Sequence, residues 1–163
     1  MTKIGLLSDT HHYLDEQIFE HFKNCDEIWH AGDFGTNEVA DKLNSFKPLK
    51  GVYGNIDGND IRSAYPEKLR WKCEDVEVMM KHIGGYPPKY NPAVKKELIT
   101  KPAQLFISGH SHILKVMYDA PLACLYMNPG AAGKQGWHSV RTIIRFAIDR
   151  KEIKDCEVIE LGK

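Results

Sequence analysis

The sequence predicts an α/β domain with mixed β-sheets, and two features of the chain carry that prediction. The first half alternates short apolar runs, rich in β-branched and aromatic residues, with segments of helical period. From about residue 67 strand-like runs dominate, and short polar turns such as "DRKE" join several of them. A chain of 163 residues with 42% hydrophobic residues can bury one sizeable core, so we expect residues 1–163 to form a single domain.

The first half is expected to run strand, helix, strand, helix, strand. The strands are predicted at 3–8, 27–32 and 49–54, and the helices at 15–24 and 36–46. We expect Thr36 or Asn37 to cap the second helix, whose apolar stripe is Val39, Leu43 and Phe46. Such an order implies parallel strands joined by crossover helices.

The second half is predicted to contain mainly strands, with one helix. The strands are expected at 67–73, 76–83, 104–109, 115–120, 122–128, 140–148 and 153–161, and the helix at 92–100. Two Gly/Pro-rich segments, "GGYPPKYNP" and "NPGAAGKQG", are predicted to be long loops.

Charge and cysteine content exclude several classes of protein. The 22 basic residues equal the 22 acidic ones, so no net field attracts nucleic acid or an anionic membrane, and neither is expected as a stable partner. No C-x-x-C pair is present, which argues against a zinc ribbon or redox dithiol; the cysteines are expected to be reduced and mostly buried: Cys25, Cys73, Cys124 and Cys156. The N-terminal apolar run is too short for a signal peptide, so a cytoplasmic location is expected.

Polar side chains follow five predicted strands at the point where each strand ends. They are Asp9 and His11, Asp33, Asn55 and Asp57, His82, and His110 and His112. The carboxyl ends of strands in an open α/β sheet are where ligands bind. We therefore expect these side chains to converge on one site, with neighbouring glycines allowing close approach.

Spacing and residue type point to metal ions. Residues i and i+2 of an extended segment share a face, so Asp9 with His11, and His110 with His112, are each expected to bind one centre as a pair. Seven candidate ligands are too many for one tetrahedral ion and suit two: Asp9, His11, Asp33, Asn55, His82, His110 and His112. Oxygen and imidazole ligands without thiolate favour divalent Mn, Zn, Fe or Ni. Two such ions would leave a net positive charge that attracts phosphate, which makes phosphoester hydrolysis the expected chemistry.

In their order along the chain, "DTH", "GD", "GNID", "HIGG" and "GHSH" resemble the motifs of the calcineurin-like metallophosphoesterase superfamily. The "NPGAAG" segment resembles a further loop of its compact branch of small bacterial and archaeal phosphodiesterases. The resemblance implies a four-layer αββα sandwich of two mixed β-sheets and hydrolysis of a small phosphodiester by a metal-bound hydroxide. It also implies Asp9, His11 and His112 as ligands of a first ion, Asn55, His82 and His110 as ligands of a second, and Asp33 between them.

Two positions depart from the family pattern. Ile56 stands where many members have a histidine near the leaving group, so poor leaving groups should be hydrolysed slowly. Ala131 replaces a serine of the N-P-G-S loop. Asp57 matches the acidic position of the "GNID" motif and is expected to support the site from behind the ligands.

Each element also has a plainer interpretation. Taken singly, Asp9, Asp33, Asn55 and Asp57 fit turn or cap positions, and an isolated H-x-H pair fits core histidines; only the ordered set favours a metal site. His138, with Lys134, is a weaker candidate for a phosphate contact. The resemblance also leaves open a non-catalytic interaction scaffold like the Vps29-like subunit of retromer, although such relatives lose the histidine of D-x-H and this chain keeps His11. Apolar strands near a sheet edge are compatible with a homo-oligomer.

Overall fold

The computed structural model describes residues 1–163, and its first half follows the predicted alternation of strands and helices. The elements are β1 (Thr2–Leu7), α1 (Gln17–His21), β2 (Glu27–His30), α2 (Asn37–Phe46), β3 (Leu49–Gly51) and α3 (Asn59–Ala64). Strands β1, β2 and β3 pair in parallel, as the crossover helices require.

The second half contributes mainly strands. Its elements are β4 (Lys68–Cys73), β5 (Val76–Lys81), β6 (Gly85–Tyr86), β7 (Lys89–Tyr90), the single helix α4 (Pro92–Thr100), β8 (Leu105–Ile107), β9 (Lys115–Asp119), β10 (Cys124–Asn128), β11 (Arg141–Asp149) and β12 (Glu152–Gly162). The last two strands form an antiparallel hairpin that pairs with β1, so the end of the chain completes the sheet begun by its first strand.

Two mixed five-stranded sheets result. The first has the order β12-β11-β1-β2-β3 and the second the order β4-β5-β8-β10-β9. In the second sheet β5, β8 and β10 are parallel, while β4 and β9 pair antiparallel at its two edges. Both sheets therefore direct parallel strand ends to the side of the molecule where the polar motifs lie.

Three apolar layers hold the elements together. The largest lies between the sheets, where Leu6 and Trp29 of the first meet Val78 and Ile107 of the second. A second layer packs α1, α2 and α3 on the outer face of the first sheet, and a third packs α4 on the outer face of the second. This arrangement is the predicted αββα sandwich.

Several local predictions needed correction. The first helix is shorter than residues 15–24, because the chain turns after His21 and the Cys25 N–H bonds to the Phe22 carbonyl. Helix α3 was not predicted, since Ile61 is its only buried apolar residue and it shows no apolar period. The "GGYPPKYNP" segment contains the short hairpin β6–β7.

The expected helix cap was confirmed in position only, whereas the expectation of reduced and mostly buried cysteines was confirmed. Thr36 occupies the N-cap position of α2, but its side chain makes no capping hydrogen bond. All four cysteines are free thiols; three are buried and Cys156 is exposed. None of the four helices is long and apolar enough to cross a bilayer.

Replacing Gly5 by alanine should destabilise the fold. A Cβ on this β1 residue would lie 2.6 Å from the ring of Phe22, which is fully buried between the first sheet and its helices. We expect a loss of about 1–3 kcal/mol in the free energy of unfolding, measured by urea denaturation. Gly58→Ala is the matched control, because nothing lies within 4 Å of its added Cβ; equal losses in the two variants would contradict the packing argument.

Candidate metal centre

Seven side chains that were predicted to converge lie together at the carboxyl ends of the strands. Two groups of three have ligand atoms within 4.8 Å of one another, namely Asp9, His11 and His112, and Asp33, His82 and His110. Asn55 joins the second group, because its Oδ1 is 3.0 Å from both His82 Nε2 and His110 Nδ1. The sequence thus placed every member at the site.

The pairing inferred from i, i+2 spacing was only half right. Asp9 and His11 belong to one group, but His110 and His112 belong to different groups. The reason is local backbone geometry: these four residues are not extended but have φ values of 54°, 45°, 70° and 61°. Asp33 is similar, with a φ of 59°.

Such left-handed conformations are costly for residues with a side chain, at about 1–3 kcal/mol each, and they cluster at functional sites. Five of the ten non-glycine residues with positive φ in this chain are the candidate ligands Asp9, His11, Asp33, His110 and His112. Each sits in a tight turn just after its strand, which points the side chain into the space between the strand ends.

Each buried carboxylate has one oxygen held locally and one facing the centre. Asp9 Oδ2 accepts bonds from the Ser8 hydroxyl at 2.7 Å and the His110 N–H at 3.1 Å. Its Oδ1 has no hydrogen-bond partner and lies 3.2 Å from His112 Nε2 and 3.6 Å from His11 Nε2. The Asp9 carboxylate is thus fixed in orientation without occupying the oxygen that faces the imidazoles.

Asp33 follows the same arrangement and lies between the two groups. Its Oδ1 accepts a 3.0 Å bond from the Ile56 N–H. Its Oδ2 lies 3.4 Å from His11 Nε2 and 3.1 Å from His82 Nε2. One oxygen of Asp33 is therefore within reach of both groups, as expected for the shared ligand.

The imidazoles are oriented by the surrounding backbone. His82 Nδ1 donates to the Ala31 carbonyl at 2.7 Å, which fixes the tautomer and leaves Nε2 as the acceptor that faces the centre. His138 packs edge-on against His112 and lies 2.7 Å from the Gly133 carbonyl through its Nε2. The weaker candidate His138 is thus beside the site, whereas Lys134 is exposed and lies over the Tyr13 ring.

Glycines make room for the ligands themselves. A Cβ on Gly54 would collide with Asp33 Oδ1, and a Cβ on Gly109 would collide with the Ser8 hydroxyl and approach Asp9 Oδ2. The glycines of "GN" and "GH" are therefore needed so that neighbouring strands can bring carboxylates close, which is a stricter role than the one predicted.

The charged side chains of the site shift one another's pKa values. Burial raises the pKa of Asp9, but the His11 and His112 imidazoles beside its carboxylate outweigh burial and lower that pKa. The Asp9 carboxylate in turn raises the pKa of His11, and Asp33 raises that of His82 against the effect of burial. Proximity to the buried carboxylates thus favours the charged form of both imidazoles.

His30 is buried behind the site and differs from the ligands. Burial lowers its pKa to about 3, so the ring stays neutral. It accepts a 3.1 Å bond from the Gly32 N–H, lies 3.1 Å from the Thr10 hydroxyl and stacks on Phe34. His30 therefore packs under the Asp33 turn as a core residue and offers no ligand atom.

Asp57 supports the site from below, as predicted. It is buried, and its two oxygens accept four backbone N–H bonds of 2.9–3.3 Å, from Asp33, Phe34, Gly35 and Gly54. One carboxylate thereby joins the turn that bears Asp33 to the turn that bears Asn55. Asp57 makes no contact with the centre itself.

Arg62 is a functional neighbour that sequence reasoning missed. Its guanidinium donates to the Asp57 carbonyl at 2.6 Å and the Asn55 carbonyl at 3.3 Å, and it lies over the Tyr53 ring. The only signal was an arginine five residues after "GNID", in a helix without apolar period. A charged residue at such a place is normally solvated, so the contact could only be found in three dimensions.

The residues present fit a pair of metal ions. Two buried polar atoms, Asp9 Oδ1 and His11 Nε2, face each other at 3.6 Å with no hydrogen-bond partner, and an unsatisfied buried polar atom is costly. Ligand atoms that reach one ion at about 2.1 Å stand roughly 3–3.5 Å apart, close to the separations found here. Oxygen and nitrogen donors without thiolate suit divalent first-row ions.

Comparison with known proteins agrees with this geometry. A family model of the calcineurin-like phosphoesterase superfamily domain matches residues 2–151. A probable metallophosphoesterase of Methanocaldococcus jannaschii is 30% identical over 135 residues, which cover 78% of this chain and 67% of that protein.

Two solved structures share the fold at low sequence identity. An archaeal phosphodiesterase has a TM-score of 0.77 and 22% identity, over 98% of this chain and 99% of that one. Vps29 of Entamoeba histolytica complexed with zinc has a TM-score of 0.75 and 15% identity, over 97% of this chain and 98% of that one. The same architecture thus occurs in a phosphodiesterase and in Vps29, and zinc binding by Vps29 means that metal binding alone does not separate the two.

Asp57→Asn should loosen both the fold and the site. The amide keeps one acceptor oxygen but turns an NH₂ group toward backbone N–H donors, so we expect a loss of about 2 kcal/mol in the free energy of unfolding. Because the turns that bear Asp33 and Asn55 lose their common support, we expect metal affinity to fall about 10–100-fold by calorimetric titration. The exposed Asp60→Asn is the control, and unchanged metal affinity in Asp57→Asn would refute the positioning role.

Proposed function

The chain belongs to the calcineurin-like phosphoesterase superfamily, and on that premise we propose that it is a phosphodiesterase that holds two divalent ions among its seven converging side chains. The observation that carries the proposal is the position of Asp33, whose Oδ2 lies 3.4 Å from His11 Nε2 and 3.1 Å from His82 Nε2. A single carboxylate oxygen within reach of two ligand groups is the feature that a dinuclear centre requires.

The ligand roles follow from the two groups. Asp9, His11 and His112 would hold the first ion, Asn55, His82 and His110 the second, and Asp33 both. Ions in these positions would supply Lewis acidity that neutralises phosphate charge and makes water acidic enough to serve as the nucleophile. The chain then needs no nucleophilic side chain of its own.

The protein's own residues position and orient the reactants. Hydrogen bonds from Ser8 and from the Ile56 backbone fix the two carboxylates, and the Ala31 carbonyl fixes the His82 ring. A cleft of about 200 Å³ beside the second group is lined by Asn55, His82 and the cation of Arg62, and by Lys81 paired with Glu67 at 4.0 Å. The Arg62 charge has no acidic partner in the cleft and favours a phosphate-bearing substrate, and the small volume leaves the rest of the substrate in solvent.

The site favours substrates with good leaving groups. Ile56 occupies the rim of the site with a half-exposed apolar side chain and contributes only its backbone N–H, to Asp33. A side chain there cannot protonate a leaving alkoxide, and such proton transfer contributes about 10²–10⁴-fold where it operates. Aryl diesters, whose leaving groups need no proton, are therefore the best first substrates.

A second candidate function is a non-catalytic interaction scaffold. Its support is the fold shared with Vps29 at a TM-score of 0.75. Against it stands the complete set of seven candidate ligands, His11 included, with unsatisfied atoms directed at the centre. Turnover, not metal binding, distinguishes the two.

Metal identity and location complete the proposal. We take Mn²⁺ as the first ion to test, with Zn²⁺, Fe²⁺ and Ni²⁺ as alternatives, because oxygen and imidazole donors accept all four. Four unpaired cysteines suit a reducing compartment, which supports a cytoplasmic location.

Metal-stripped protein should hydrolyse bis-p-nitrophenyl phosphate only after a divalent ion is added. We expect diester turnover to exceed that of p-nitrophenyl phosphate in parallel titrations with Mn²⁺, Zn²⁺, Ni²⁺ and Mg²⁺, as the phosphodiesterase proposal requires. Bound metal should be measured in the same samples. Two bound ions per chain without turnover would favour the scaffold function.

Asp33→Asn should abolish this activity at every metal concentration. The amide removes the charge that both ligand groups share, so we expect a loss of more than about 100-fold in diester hydrolysis with little change in the circular dichroism spectrum. Asp41→Asn, on the exposed face of α2, is the matched control and should retain full activity. Activity of Asp33→Asn within a few-fold of the parent would show that Asp33 is not the shared ligand.

A further inference from the structure

Strand β9 leaves one edge of the second sheet open and apolar. It pairs only with β10, and none of its backbone groups makes a hydrogen bond to any other element. Three consecutive residues in its centre are exposed, Val116 at 41%, Met117 at 43% and Tyr118 at 61%. An unpaired apolar strand edge is a template for pairing with another chain.

The other three sheet edges are protected against such pairing. Strand β3 has only three residues, and β4 carries Lys68, Arg70 and Lys72 on one face. Strand β12 is long, but it bulges opposite β11 at Arg145–Ala147 and is rich in acidic residues, so two copies would bring carboxylates together. Short length, bulges and like charges are the usual means of blocking edge association, and β9 has none of them.

We propose that β9 pairs antiparallel with β9 of a second copy of this chain, with the twofold axis at Met117. The order Lys-Val-Met-Tyr-Asp is complementary to itself in this register. Lys115 of each copy stands opposite Asp119 of the other, and Val116 stands opposite Tyr118. A closed twofold contact requires this kind of self-complementary surface.

The register pairs side chains on both faces of the strand, in addition to the contacts of its ends within one chain, where Asp119 accepts a bond from the Tyr90 hydroxyl and Lys115 lies over the Tyr86 ring. Residues directly opposite in an antiparallel pair have Cβ atoms about 4.5–5.5 Å apart, and opposite charges or an aromatic with a β-branched residue stabilise such pairs by about 0.2–1 kcal/mol each. Lys115, Met117 and Asp119 share one face, because side chains alternate along a strand. The two ion pairs would therefore flank a Met117 contact on one side of the joined sheet, with the Val116–Tyr118 pairs on the other.

A second copy fits this edge better than an unrelated partner. A partner strand of arbitrary sequence is not expected to carry an acid and a base four residues apart in the reverse order, whereas a second copy of this strand does. The inference is independent of catalysis, since no candidate metal ligand lies in β9.

Charge exchange at the two ends of β9 tests the inference. The parent protein should sediment as a concentration-dependent dimer of twice the 18.6 kDa chain. Lys115→Asp and Asp119→Lys alone place like charges opposite each other and should each shift the protein to monomer. The double variant K115D/D119K restores opposite charges and should recover the dimer, while Lys72→Asp, on the opposite edge of the same sheet, should leave it unchanged.

Amide hydrogen exchange tests the proposal on the parent protein, without any substitution. Amides within 115–119 should become more protected as the protein concentration rises, and those of β4 and β12 should not. A parent that remains monomeric up to about 1 mM, where even weak specific contacts form, would overturn the proposal. So would a dimer that persists in both single variants or that protects a different edge.

Discussion

The structure of the site depends on the burial of two carboxylates, Asp9 and Asp33, a few ångströms from a cluster of imidazoles. Buried charges are costly unless they are paired and hydrogen-bonded. Here each carboxylate uses one oxygen for local donors and leaves the other directed at the centre. The remaining charge has to be compensated from the site itself, by protonated histidines or by cations.

The need to bury and hold these carboxylates explains backbone conformations that would otherwise be unfavourable. Left-handed turns at Asp9, His11, Asp33, His110 and His112 are tolerated because the surrounding hydrogen bonds hold them. Asp57 supplies four of those bonds, and Arg62 in turn holds the backbone beside Asp57 and Asn55. Asp57 and Arg62 thus form a frame behind the candidate ligands, and the packing of the αββα core offsets the strain of the left-handed turns.

The edge strands of the two sheets differ in length, charge and apolar character. The first sheet ends at β12, an acidic bulged strand, and at β3, a very short one. The second sheet ends at cationic β4 and apolar β9. Three edges therefore resist association and one favours it, and dimer formation would extend the second sheet through a strand that carries none of the candidate ligands.

The sequence by itself determined the fold class, the order of the strands in the first half and all seven converging side chains, because apolar periodicity and the position of polar residues after strands are local properties. It also determined Asp57 as a supporting residue, through its place in "GNID". Residue spacing did not predict the division of His110 and His112 between two groups, which only the family resemblance implied and which the structure bears out; nothing in the sequence indicated the contact of Arg62 or the existence of α3. The division depends on left-handed turns that reverse the expected direction of neighbouring side chains. Arg62 and α3 depend on contacts with distant segments, which leave no period in the sequence. Only the tertiary structure decided these features, because strain and long-range hydrogen bonds are set by how strands from both halves of the chain meet at one edge.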